Sequence, residues 1–241
     1  MMNDNNNIYP QENKSFATLQ SYTPPKEAEP LLARIVSIIL HPLFMGIYTV
    51  ALLFVYTDFN LLFAGQFFLF MSPMFFLTCV VPLCSLYFLN KMKLIKNYGT
   101  TEPQERLIPF LVFFLSYGLL VYHFHSAKLY TWFTALLAAP LILIVVSGII
   151  SHFWKISLHM VGIGALVGST LSVCYHVKGV NPYVLFIILF ILAGCLGVAR
   201  LASKKNTPAQ VYAGFVLGAA VSYICVWIGA YWGLIVFLQN Q

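Results

Sequence analysis

The sequence predicts an all-α integral membrane protein, a bundle of about seven transmembrane helices with six as the lower count. Two observations predict this fold class. Hydrophobic residues make up 60% of the 241 residues and charged residues only 8%, whereas a soluble domain carries roughly 25% charged residues. Apolar stretches of roughly 20 residues, the length that crosses the hydrocarbon core, also recur along the chain. Because lipid offers backbone groups no hydrogen-bond partner, each stretch is expected to be a helix.

Residues 1–30 differ from the rest of the chain. They are polar, rich in Asn, Pro and Glu, and contain no apolar run. A basic segment followed by an apolar core is also missing, so they do not have the pattern of a signal peptide. We predict a disordered polar tail over 1–30 and a transmembrane helical domain over 31–241.

The transmembrane domain contains seven apolar segments, each a predicted span. In the first, His41 precedes Pro42. This pair predicts a kink with a hydrogen-bonded imidazole, because proline removes a backbone donor and clashes with the preceding turn. The alternative is that His41 binds a ligand. The shortest segments are the third and the fifth. In chain order the predicted spans are 32–57, 63–90, 106–124, 129–151, 156–175, 181–200 and 208–238.

Basic residues are distributed unevenly between the two faces of such a bundle. With seven spans, the loops 91–105, 152–155 and 201–207 share one face with the N-terminus. The opposite face carries only Lys128 and Lys178. The positive-inside rule therefore predicts a cytoplasmic N-terminus and a plasma (inner) membrane protein. Apart from candidate site residues, the first face carries Lys91, Lys93, Lys96, Lys204 and Lys205.

The acidic residues limit the chemistry that the chain can perform. Of the seven carboxylates, none follows Glu105. The second half therefore offers no carboxylate as a base or metal ligand, and we expect no metal and no cofactor. The five cysteines lie in apolar runs without Cys-x-x-Cys spacing, which is typical of small buried hydrophobes. Loop topology accounts for the net charge of +6, so we expect no nucleic-acid partner.

The first candidate site precedes the third span. Thr101 or Glu102 can cap a helix whose first turn holds Pro103, which has no amide proton to lose. Arg106 then lies in that first turn as a candidate phosphate ligand. The alternative is a structural ion pair between Arg106 and Glu102, one turn away.

The second candidate site opens the fifth span. Ser157 can cap the helix that follows, and the positive end of its dipole suits an anion. Lys155 adds charge, and His159 can give or take a proton. Gly164 and Gly168 form a GxxxG pair, which lets this helix pack closely against a neighbour. The alternative is an interfacial lysine, a capping serine and a hydrogen-bonded histidine.

The third candidate site joins the last two spans. Arg200 ends one span, and Thr207-Pro-Ala-Gln210 is a capping box that begins the next. The alternative is a well-capped helix behind a basic loop. Four residues recur at every fourth position and so lie roughly along one stripe, in which the two glycines allow close packing: Asn206, Gln210, Gly214 and Gly218.

The three sites fall on one membrane face by parity. Together they supply Arg106, Lys155, Arg200 and a helix N-terminus. Guanidinium groups match phosphate oxygens in geometry, so this combination predicts a pocket for a phosphate.

The chain resembles the type 2 phosphatidic acid phosphatase family from about residue 60 to the end. That family carries Lys-x6-Arg-Pro, then Pro-Ser-Gly-His, then Ser-Arg-x5-His-x3-Asp. The stretch 156–159, Ile-Ser-Leu-His, is similar to the second motif. Arg200, Asn206 and Gln210 keep the spacing of the third. Arg106 stands for the arginine of the first, although Gly99 and Leu107 replace its lysine and proline.

The resemblance implies roles for these residues. Arg106, Ser157 and Arg200, with Lys155 beside them, would bind phosphate, and His159 would protonate the leaving oxygen without a metal. Asn206 stands at the position of the histidine nucleophile, and Gln210 at that of its orienting aspartate. An amide cannot form a phosphoenzyme.

The sequence therefore predicts a membrane protein with a phosphatase-like pocket for a lipid or polyprenyl phosphate. The amide at the nucleophile position predicts little or no hydrolysis. A small transporter or scaffold, in which the polar residues only cap helices, is the alternative. A non-enzymatic binder of lipid phosphates lies between the two.

Overall fold

The computed structural model describes residues 30–57, 59–92, 103–179 and 181–239, with the side chains of residues 103–107 outside that description. The described segments are helical and contain no strand. The tail predicted for 1–30 lies outside them, apart from Pro30 at the start of the first helix. The helices are α1 (Leu31–Ile39), α2 (Pro42–Tyr56), α3 (Phe59–Leu62), α4 (Phe67–Phe75), α5 (Val81–Lys91), α6 (Pro103–Ser126), α7 (Thr131–Phe153), α8 (Leu158–Ser172), α9 (Tyr183–Ala202) and α10 (Pro208–Gln239).

Two π-helical turns extend these helices. The turn Phe76–Val80 joins α4 to α5, and the turn Val173–Lys178 continues α8. Counted with these turns, six helices of the described segments are long and apolar enough to cross a membrane, and a seventh span results if α1 and α2 are taken as one. The prediction of a membrane-embedded helical bundle with six to seven spans is therefore confirmed.

The first span is broken where the sequence predicted a kink. The axes of α1 and α2 differ by 56°. His41 occupies the cap position of α2, and its Nδ1 accepts a hydrogen bond from the backbone N–H of Leu43 at 3.3 Å. On the other side of the break, the Tyr48 hydroxyl donates to the backbone carbonyl of Ile39 at 2.9 Å. Side chains thus satisfy backbone groups at the break, as a membrane interior requires.

Helix α8 lies at the centre of the bundle. Of the most apolar 18 residues in its span, 67% are buried, against 22–33% in the other spans. Its partners are α10 on one side, α2 on another, and α7 and α9. Although the 156–175 segment is among the shortest apolar segments of the sequence, it forms the core of the fold.

Glycines bring the backbones of α8 and α10 into direct contact. A Cβ placed on Gly164 would clash with the carbonyl oxygen of Phe215, and one on Gly168 with that of Ala219. From the other side, Gly218 faces the carbonyl oxygen of Val161. Both predicted GxxxG pairs therefore lie in the same contact, along which α8 and α10 run parallel to each other.

One end of the bundle is filled by aromatic side chains. The rings of Phe59 and Phe133 stack 5.4 Å apart, and those of Phe70 and Phe124 5.5 Å apart. All four residues are buried. They come from the C-terminal end of α6 and the N-terminal ends of α3, α4 and α7, so we call this the aromatic end.

Candidate functional site

The opposite end brings two loops together. The loop before α8 and the loop between α9 and α10 meet where the ammonium of Lys155 donates to the backbone carbonyl of Lys205 at 2.9 Å. Gly214, in the second turn of α10, lets the backbones approach, since a Cβ there would lie 2.8 Å from the carbonyl oxygen of Ser157. The close α8–α10 contact thus fixes the loop residues relative to each other.

Asn206 is the centre of a hydrogen-bond network between these loops. Its Oδ1 accepts from Nε of Arg200 at 3.0 Å and from Oγ of Ser157 at 3.4 Å. Its Nδ2 donates to Oε1 of Gln210 at 3.2 Å. Asn206 is only 9% exposed and Ser157 1%. We call Ser157, His159, Arg200, Asn206 and Gln210 the polar junction.

Gln210 also caps the start of α10, as the sequence predicted. Its Oε1 accepts from the backbone N–H of Thr207 at 3.1 Å, which is the reaching-back half of a capping box. Pro208 is the first residue of the helix. The same oxygen therefore binds the helix start and orients Asn206.

The predicted role of the Ser157 hydroxyl as a helix cap is wrong. Ser157 does occupy the cap position of α8, but its side chain makes no capping bond there. The hydroxyl donates to Asn206 instead. The physical reason is the docking of the α9–α10 loop, which offers a buried amide oxygen that the sequence pattern of α8 cannot indicate.

The ring of His159, which belongs to the polar junction, contacts a second histidine ring. The ring centroids of His159, in the first turn of α8, and His41, at the α1–α2 break, are 5.0 Å apart in an edge-to-face arrangement. His159 also contacts the main chain of Ser37 in α1. Arg200 is close enough to interact electrostatically with both rings. Sequence reasoning found the break but missed this pairing, because no spacing in the sequence relates residues 41 and 159.

Two further predicted site residues, Arg106 and Lys155, are not in the group that we call the polar junction. The backbone of Arg106 lies in the first turn of α6, but its side chain, like the predicted partner Glu102, is outside the described part of the structure. The prediction that Arg106 joins the site stays a prediction. Lys155 is exposed and borders the junction through its bond to Lys205.

The junction offers donors and imidazoles but no carboxylate of the second half, since none follows Glu105 in the sequence. Such a set suits an anion, because guanidinium, hydroxyl and imidazole N–H groups all donate hydrogen bonds. Asn206 supplies no nucleophile for phosphoryl transfer. Among the described residues, no group of three His, Cys, Asp or Glu side chains could hold a metal ion.

A concavity elsewhere does not coincide with the junction. At the aromatic end, a groove of about 880 Å³ is lined by residues that include Tyr130, Trp132, Trp227 and Tyr231. Aromatic side chains of this kind are normal at a membrane interface. The volume of a concavity therefore does not indicate where the candidate site lies.

Comparisons with family models, with curated proteins and with solved structures find no match for the chain. The resemblance to the phosphatase family thus rests on the motifs of the sequence alone.

Proposed function

We propose that this membrane-embedded bundle binds the phosphate head group of a lipid or polyprenyl phosphate at the polar junction, without hydrolysing it. One observation carries the proposal: Arg200 and Ser157 both donate to a single oxygen, Oδ1 of Asn206. Donors from the end of α9 and the start of α8 therefore converge on one point at the end of the bundle.

A phosphate oxygen suits that point better than an amide oxygen does. Hydrogen bonds to an ionised acceptor are roughly twice as strong as those between neutral groups. The guanidinium also matches phosphate oxygens in geometry. A head group that enters the junction would therefore compete with Asn206 for the donors of Arg200 and Ser157.

The absence of chemistry follows from Asn206 and Gln210. Phosphoryl transfer through a covalent intermediate needs an activated nucleophile and a group that orients it. A carboxamide at both positions supplies neither. Changing Asn206→His together with Gln210→Asp is expected to create turnover on a lipid phosphate, and each single change less, because the two groups act as a unit. Equal activity in parent and double variant would contradict this explanation.

The second candidate function is a scaffold, and the same network favours it. Asn206 bonds Arg200, Ser157 and Gln210, so the side chains of the junction are joined to one another. In that case the network only holds α8, α9 and α10 together.

Binding of lipid phosphate separates the two candidates. The melting temperature of the purified protein in detergent is measured with phosphatidic acid and with phosphatidylcholine. We expect phosphatidic acid, and not phosphatidylcholine, to raise the melting temperature of the parent. Arg200→Ala is expected to weaken affinity by about 1.5–3 kcal/mol, the scale of a charged hydrogen bond. The matched control is Arg34→Ala, which removes an exposed arginine from α1. Equal binding by both variants contradicts the proposal, and indifference of the parent to anionic lipids favours the scaffold.

A further inference from the structure

We propose that His41 is a further ligand-binding residue of this site, donating a hydrogen bond from its Nε2 to the phosphate, and that the site selects phosphomonoesters over phosphodiesters. The inference rests on the proposed function, because it adds a further hydrogen-bond donor to the same junction. His41 lies outside the stretch, from about residue 60, that carries the family resemblance.

The bond at the helix break fixes the hydrogen of the His41 ring. Nδ1 accepts from the backbone N–H of Leu43 at 3.3 Å, so this nitrogen carries no hydrogen. In a neutral imidazole the other nitrogen must then carry it. The cap of α2 therefore makes Nε2 a donor, at the end of the ring that points away from the first turn of α2.

Glycine in α8 brings this donor to the junction. A Cβ on Gly162 would lie 3.3 Å from Cα of Pro42 and 3.1 Å from Cγ of Met45. With only hydrogen at that position, the start of α2 rests on α8, and the His41 ring lies 5.0 Å from the ring of His159. Arg200 interacts electrostatically with both rings.

A buried hydroxyl adjoins the same place. Ser37, in the last turns of α1, is 7% exposed, and its Oγ has no hydrogen-bond partner among the described residues. The main chain of Ser37 contacts His159. A buried hydroxyl without a partner costs about 1–3 kcal/mol, so a polar group that enters between α1 and α8 gains a partner there.

The arrangement of donors defines the class of ligand. Arg200 and Ser157 approach from α9 and α8, and His41 from the α1–α2 break, so an anion between them meets donors from separate sides. A phosphomonoester offers three terminal oxygens and a charge near −2, whereas a phosphodiester offers two oxygens and −1. Three directions of approach favour the monoester, the head group of phosphatidic acid or of a polyprenyl monophosphate.

Two substitutions separate binding by His41 from capping by His41. Asparagine is a preferred cap residue, so His41→Asn keeps an acceptor for the N–H of Leu43 while it removes the Nε2 donor. His41→Ala removes both. The matched control is His152→Asn, which replaces an exposed imidazole at the end of α7.

The experiment measures the dissociation constants of phosphatidic acid and of phosphatidylglycerol for each purified full-length variant, together with its melting temperature. We expect His41→Asn to weaken phosphatidic acid binding about 10-fold, the loss of one charge-assisted bond, with the melting temperature of the parent. We expect a smaller change for phosphatidylglycerol, and none in the control.

Each other result overturns the inference. If His41→Asn binds as the parent does while Arg200→Ala binds weakly, the proposed function stands and His41 only caps α2. If the parent binds neither lipid, the proposed function fails as well. If both lipids lose the same factor in His41→Asn, the selection of monoesters is wrong.

Discussion

The two ends of the bundle are held together by different means. At the aromatic end, contact is made by ring side chains that fill the space between helices, such as Phe59 on Phe133. At the polar junction, α8 and α10 touch through their backbones, and hydrogen bonds of Asn206 join the loops. Backbone contact alone does not distinguish the two ends, since a Cβ on Gly229 of α10 would lie 3.0 Å from Cα of Trp132 at the aromatic end. What distinguishes the polar junction is the hydrogen-bond network of Asn206 that joins its loops.

The difference indicates what each end is for. A membrane protein needs bulk to close its helices against lipid, and aromatic rings supply it at low conformational cost. A site for an anion needs donors held at fixed points, because a buried donor that lacks a partner is costly. Gly214 provides the close contact that holds Ser157 against α10, beside the other donors of the junction.

The largest loss of stability is expected at the aromatic end. Phe133 is fully buried, so Phe133→Ala removes a ring from a packed cluster and should destabilise the fold by about 3–5 kcal/mol. Unfolding of the purified protein by denaturant measures this. Phe153→Ala, at a residue that is 84% exposed, is the control and should change little. Affinity for phosphatidic acid in the folded fraction should be unchanged, and a loss of affinity would show that the ends are not independent.

The next largest loss of stability is expected from overpacking of the glycine contact between α8 and α10. A methyl group on Gly168 meets the backbone of Ala219, which cannot turn aside as a side chain can. Gly168→Ala should therefore cost about 1–3 kcal/mol, and unlike Phe133→Ala it should also weaken binding of phosphatidic acid. Gly194→Ala in α9 is the matched control, since a Cβ there has nothing within 4 Å. Equal stability of the two variants would mean that α8 and α10 are not in backbone contact.

Removal of the Asn206 amide is expected to cause a smaller loss of stability, and one that depends on bound ligand. Asn206→Ala leaves Arg200 and Ser157 without their shared acceptor, which should cost about 1–2 kcal/mol of stability. A bound phosphate supplies another acceptor, so phosphatidic acid should raise the melting temperature of this variant more than that of the parent. A ligand effect no larger than in the parent would favour the scaffold function.

The smallest effect on stability is expected from changes that test which side each end faces. We propose that the polar junction faces the cytoplasm, because its two loops carry Lys155, Lys204 and Lys205. In a background without native cysteines, Lys204→Cys should resist an impermeant thiol reagent in intact cells, and Lys178→Cys should react. Neither change should alter melting, since Lys204 is exposed and Lys178 is half-buried. The reversed labelling pattern would overturn this topology.

Much of the fold could be predicted because its signals are local. Span positions follow from apolar length, and the break at His41 follows from the proline after it. The glycine pairs indicated close packing on α8 and on α10, but each pair needed a partner that the sequence does not name. The start of α10 was predictable because Thr207 and Gln210 lie within one turn.

The candidate site was predictable only in part. Motif spacing indicated Arg200, Asn206 and Gln210 together, and the structure joins them in one network. The bond from Ser157 to Asn206 and the contact between His41 and His159 depend on how distant helices pack. No local pattern encodes such contacts, so the local pattern alone favours a capping hydroxyl at Ser157 and a kink at His41.

One labelled ligand can show whether the junction holds a lipid phosphate and leaves it intact. Purified parent protein in detergent is mixed with phosphatidic acid carrying ³²P, and both the protein-bound label and the released inorganic phosphate are measured. We predict saturable binding that Arg200→Ala weakens, with no release of phosphate above the detergent blank. Absence of saturable binding, or release of phosphate at an enzymatic rate that His159→Ala abolishes, would contradict the claim.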